Sequence, residues 1–141
     1  MLLLDSEAMS SLAHGPSHRR DHVRALITEM RRRGRDIATV AAVLAEVVRG
    51  RRADAVVFAG LRRERVLVHP VDTRTGVRAG QLLGKVGAGS ELAIDAFVVA
   101  VADLAGGAII ATCDVNDFKN LASHASNVVV ADIDRRTRKP R

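Results

Sequence analysis

The chain has 141 residues, enough for one domain with a sizeable core, and its 48% apolar against 27% charged residues exclude an intrinsically disordered protein. A net charge of +6 favours a polyanionic partner, most simply nucleic acid, and three Phe with no Trp or Tyr exclude a base-stacking platform, so phosphates and shape would hold that partner. No uncharged run reaches the ~18 residues of a membrane span. MLLLDSEAM lacks a basic leader, and the single Cys113 fits a reducing compartment, so the expected location is cytoplasmic, with no membrane.

In chain order, MLLL (1–4) reads as a strand ending at Asp5. A short helix over 6–14 breaks at Gly15-Pro16, and Ser17 caps a second helix over 18–33. Residues 36–39 form a brief strand, and the helix AAVLAEVVRG follows, ended by Gly50. A helix over 53–64 leads to the strand VLVHPV. Another helix spans 72–85, and Gly84, Gly87 and Gly89 loosen the connection to an apolar helix over 90–105, closed by Gly106-Gly107. The strand AIIATC, a helix over 115–123 and the strand NVVVA complete the pattern. Strands separated by helices imply an α/β fold with a mostly parallel sheet covered on both faces. The domain runs over 1–132. The tail 133–141, with five positive charges in RRTRKPR, is expected to be mobile.

Positive charge is clustered. Arg19, Arg20, Arg24, Arg31, Arg32, Arg33 and Arg35 crowd one stretch, followed by Arg49, Arg51 and Arg52 and then by Arg62, Arg63 and Arg65. Solvated helix faces explain such runs as readily as a nucleic-acid surface does. His18 and His22 share a helical spacing suited to zinc but lack a third ligand. GKVGAGS fails the phosphate-loop pattern because Val86 stands where Ser or Thr is required.

Five carboxylates stand beside apolar segments: Asp5 after MLLL, Glu46 in AVLAEVV, Asp95 in ELAIDAFVVAVA, and Asp114 and Asp117 in IIATCDVNDF. Asp5 and Asp114 follow strands, where ligands of open α/β sheets bind, though each can equally cap the next helix. Glu46 and Asp95 lie in helices apolar nearly all round, so both are expected to be buried and to need a partner. No Lys or Arg lies within a turn of Asp95. Acids gathered in such a setting call for a divalent cation, and all-oxygen ligands select Mg²⁺ or Mn²⁺.

LLLDSEAMSSLA resembles the start of a PIN domain, in which a strand delivers an Asp followed by Ser or Thr. IDAFVVAVADLAGGAIIATCDVNDF is similar to that family's second half, so the likeness runs over nearly the whole chain. Small stand-alone members are similar to VapC-type toxins of toxin–antitoxin pairs. The resemblance implies a three-layer α/β/α fold in which Asp5, Glu46, Asp95 and Asp114 hold Mg²⁺, with Mn²⁺ as substitute. It places Asp117 as an outer acid, with Ser6 and Thr112 supporting by hydrogen bonds, and leaves the order of Asp114 and Asp117 open. It also implies an endoribonuclease that hydrolyses RNA phosphodiesters with an activated water and leaves a 5′ phosphate. Its expected partners are RNA, a cognate antitoxin and a second copy in a homodimer. The alternative is a non-catalytic RNA-binding or ribosome-associated module, with the acids as caps and the arginines carrying the interaction.

Overall fold

The computed structural model describes residues 1–136. Along them run β1 (Leu2–Leu4), α1 (Ser6–Ala13), α2 (Ser17–Arg32), β2 (Ile37–Val40), α3 (Ala41–Val47), α4 (Asp54–Arg63), β3 (Leu67–His69), α5 (Thr73–Val86), α6 (Ala93–Leu104), β4 (Ala108–Thr112), α7 (Val115–Ala122) and β5 (Val128–Asp132), with a 3₁₀ turn at Ser90–Leu92. Every element expected from the sequence is present, its ends shifted by a turn or less. Ser17 is not the cap of α2: it is the first helical residue, and Pro16, with φ fixed at −55°, takes the cap position without a side-chain bond. The GKV of GKVGAGS is the last turn of α5, ended by Gly87 at φ +68°, so this segment presents a helix C-terminus rather than a phosphate cradle.

The five strands lie in the order β3-β2-β1-β4-β5 and every pairing is parallel, so the sheet is fully parallel rather than mostly so. β1 is the middle strand, and Leu2, Leu3 and Leu4 are all completely buried, as a strand covered on both faces requires. Each such side chain contributes about 1.5–3 kcal/mol by burial. Against one face pack Ala8, Met9 and Leu12 of α1 with Val23, Ile27 and Met30 of α2. α6 supplies Ala96, Val98, Val99, Ala100, Val101 and Ala102 to the same core.

This strand order fixes where a site can form. The chain builds β1, β2 and β3 outward in one direction, then crosses back to lay β4 and β5 on the other side of β1. The order reverses between β1 and β4, and a crevice opens beyond their carboxyl ends. Leu4 pairs with Ala111, so Asp5 and Thr112-Cys113-Asp114 emerge side by side at that crevice. Gly107 sets the start of β4: at φ +124°, a Cβ there would stand 2.6 Å from the Asn127 carbonyl oxygen, so only glycine fits the turn from α6.

Of the expected tail, Ile133 is fully buried and donates its N–H to Thr112 O at 3.0 Å. Asp134 accepts from Arg19 Nε at 2.7 Å and lies 2.8 Å from His18 Nε2. Residues 137–141 of that tail lie outside the described residues. No helix among the described residues is long and apolar enough to cross a membrane.

Candidate metal centre

Asp5 is held by three elements. Its N–H extends the β1 ladder to Ala111 O at 3.3 Å, and its Oδ1 accepts the Ala8 N–H at 2.8 Å, capping α1. The fully buried Thr39 of β2 donates its hydroxyl to Leu4 O at 2.7 Å, which fixes the peptide just before Asp5. Capping and burial coexist here: Asp5 is only 4% exposed. Burial drives its pKa up to about 7, and hydrogen bonds to the Thr112 hydroxyl and the Ala8 N–H only partly oppose that rise. The charges of Asp95 and Glu7 add to it.

The other acids come from two helix starts. α6 anchors itself through its buried Ala and Val residues, which leaves Asp95 in its first turn, half-buried at the crevice. In α7, Phe118 and Leu121 are completely buried, and Asp117 precedes Phe118 in the first turn. Asp114 stands at the cap position of α7, but its carboxylate makes no capping bond. Its N–H instead donates to Thr112 Oγ1 at 2.8 Å, which leaves both carboxylate oxygens for other work. Asp95, Asp114 and Asp117 each place a ligand atom within 4.8 Å of the others. Asp95 is raised to about 7, first by burial, then by the charges of Asp114, Glu46 and Asp117.

Glu46 corrects the sequence reading. α3 buries only Val43, and Glu46 is exposed rather than interior, because the helix is one short layer with its far side in solvent. Glu46 still reaches the site by charge, through its repulsion of Asp95. Ser6 opens α1 beside Asp5, and its hydroxyl makes no hydrogen bond among the described residues. Thr39, by contrast, carried no signal in sequence, since its role depends on β2 lying against β1.

The donor set fits a hard divalent cation. Three carboxylates converge, none of the five acids forms an ion pair with Lys, Arg or His among the described residues, and burial, reinforced by neighbouring carboxylates, raises Asp5 and Asp95 to about 7. Asp5, Asp95, Asp114 and Asp117 also lie at the N-terminal ends of α1, α6 and α7, where the helix dipole favours negative charge. That help, about 0.3–1 kcal/mol per charge, is too small to cancel the burial that raises Asp5.

The arginine run is partly spent within the protein. Arg32 and Arg33 both bond Glu29, and Arg31 bonds Glu64, which also receives Arg63. Arg51 and Arg52 make no ion pair among the described residues. Their loop is shaped by Asp54, whose carboxylate accepts the N–H groups of Arg49, Gly50 and Arg51.

A family model described as PIN domain matches residues 2–123. No curated protein matches the chain. A chain of the crystal structure of VapBC2 from Rickettsia felis bound to a DNA fragment from their promoter is similar in fold, with a TM-score of 0.65 at 16% identity, covering 93% of this chain and 97% of that one.

Proposed function

Because the chain belongs to the PIN domain family, we propose that it is a divalent-metal-dependent endoribonuclease, working as the toxin of a type II toxin–antitoxin pair. One observation carries the reading: Asp95, Asp114 and Asp117 converge at the crevice between β1 and β4 with no protein cation among the described residues to balance them. The resemblance in fold to a chain of a VapBC complex supports the toxin assignment. The non-catalytic alternative, with the acids as helix caps, does not account for Asp114, whose carboxylate makes no capping bond.

Asp95, Asp114 and Asp117 would hold Mg²⁺ or Mn²⁺, with Asp5 and Glu46 on its flanks. A divalent ion in this position lowers the pKa of a water and neutralises charge gathering on the phosphate. The protein's own groups do the positioning. Thr112 ties the Asp114 backbone to the end of β4, Thr39 ties Leu4, and α1 fixes Asp5 through Ala8. Burial in the crevice limits water around Asp5 and strengthens every charge interaction there. Exposed Asp114 and Glu46 leave the opposite side open to a polyanionic strand, which the basic surface draws in. The substrate is RNA, the inhibitor a cognate antitoxin, and the working form a cytoplasmic homodimer.

The test is cleavage of RNA by the purified protein. Mg²⁺ or Mn²⁺ should support it, EDTA should stop it, and Asp95→Asn should remove it while RNA binding persists. Cleavage by Asp95→Asn at the wild-type rate would overturn the reading.

A further inference from the structure

His18 and His22 find another use in the fold. They line a cavity of about 470 Å³ together with Asp21, Ala25, Arg135 and Arg136. The cavity joins the first two turns of α2 to the segment after β5. Ile133 in the core and the Asp134 clasp on Arg19 and His18 bring that segment there. Its charge is lopsided. Arg135 and Arg136 face it against Asp21, with His18 and His22 as further polar lining, and Asp134 is already engaged by Arg19 and His18. α2 starts there with no side-chain cap and no acid in its own first turn.

The cavity also connects to the acids. Arg19, next to His18, lies 3.7 Å from Glu7 Oε2 in the first turn of α1, two residues after Asp5. Arg19 therefore ties the segment after β5, which borders the cavity, to the start of α1, which Asp5 caps. We infer that this cavity is a phosphate-binding site for a single strand of RNA, holding a phosphodiester away from the one to be cut, with Arg135, Arg136 and His22 as its contacts. The inference rests on the nuclease reading for the identity of the strand, but its geometry is independent of the metal centre.

The experiment titrates the isotope-labelled full chain with a short single-stranded RNA in EDTA and follows the His22 ring and the Asp114–Asp117 amides by NMR. In parallel, cleavage is measured with Mn²⁺. Movement of the His22 ring, abolished in an Arg135→Ala/Arg136→Ala double variant, supports the site. The same variant and His22→Gln should raise KM for cleavage with kcat and Mn²⁺ affinity unchanged. In the double variant the slope of log affinity against log salt should fall by about 0.7 for each phosphate the protein no longer neutralises. If RNA moves the Asp114–Asp117 amides and is cut, but His22 stays still, the inference falls and the nuclease reading stands. If His22 moves and wild type cuts no RNA, the cavity stands as an RNA phosphate contact and the nuclease reading falls. Inorganic phosphate saturating the His22 shift as tightly as RNA would mark a site for free phosphate and overturn the strand assignment.

Discussion

Asp5 carries two opposed contributions that one substitution can separate. Asp5→Asn keeps the α1 cap, since an Asn oxygen caps the Ala8 N–H as well as a carboxylate does, and it removes the buried charge. Asp5 is 4% exposed with a folded pKa of about 7 against the ordinary 3.8. The difference, roughly three pKa units, corresponds to about 4 kcal/mol. The pKa is raised, so between about pH 4 and pH 7 the folded state keeps a proton that the unfolded chain has released. The stability of protonated Asp5 is therefore complete below about pH 4 and gone above about pH 8. In EDTA, Asp5→Asn should match wild type near pH 4 and exceed it by up to about 4 kcal/mol near pH 8. At ~3 °C per kcal/mol for a chain of this size, that is a Tm gain of about 12 °C. Asp5→Ala is the control for the cap and should lose about 1 kcal/mol relative to Asn at every pH. Urea unfolding of the three proteins across this range measures both contributions. A gap between Asn and wild type that does not change with pH would refute the argument, because it would mean Asp5 ionises in the fold as easily as in solution.

Mn²⁺ at about a hundredfold over its Kd should stabilise the wild type by about 2.7 kcal/mol, and Asp95→Asn should melt higher in EDTA yet show no Mn²⁺ response; an unchanged wild-type melting curve would count against a metal centre. Metal affinity should rise with pH through about 7, as Asp5 and Asp95 lose their protons, which calorimetry across that range would check. Asp114→Asn and Asp117→Asn should each slow cleavage by on the order of a hundredfold, whereas exposed Glu46→Gln should cost less; single-turnover rates would rank them. Replacing Arg51 and Arg52 should flatten the salt dependence of RNA binding more than replacing Arg31, Arg32 and Arg33, which are engaged by Glu29 and Glu64; the reverse order in binding titrations would contradict this.

The order of elements was legible in the sequence because it depends on local information. The Leu2–Leu4 run, the Gly15-Pro16 break, the Gly106-Gly107 turn and the apolar period of α6 each act within a few residues. The five acids could also be singled out, since a carboxylate beside core residues is anomalous wherever the chain goes. Which of them meet, and which are buried, was decided by the tertiary structure. Glu46 looks interior because its neighbours are apolar, yet α3 has one buried residue and a face in water. Asp117 reads as an outer acid, yet it joins Asp95 and Asp114 because Phe118 and Leu121 anchor α7 and turn its first residues toward α6. The reach of Thr39 to Leu4 and of Arg19 to Asp134 joins residues far apart in the chain and has no local signature. A site assembled at the point where strand order reverses depends on contacts between distant residues. Sequence decides which side chains are available, and the parallel sheet brings β1 and β4 together so that their carboxyl ends share one crevice.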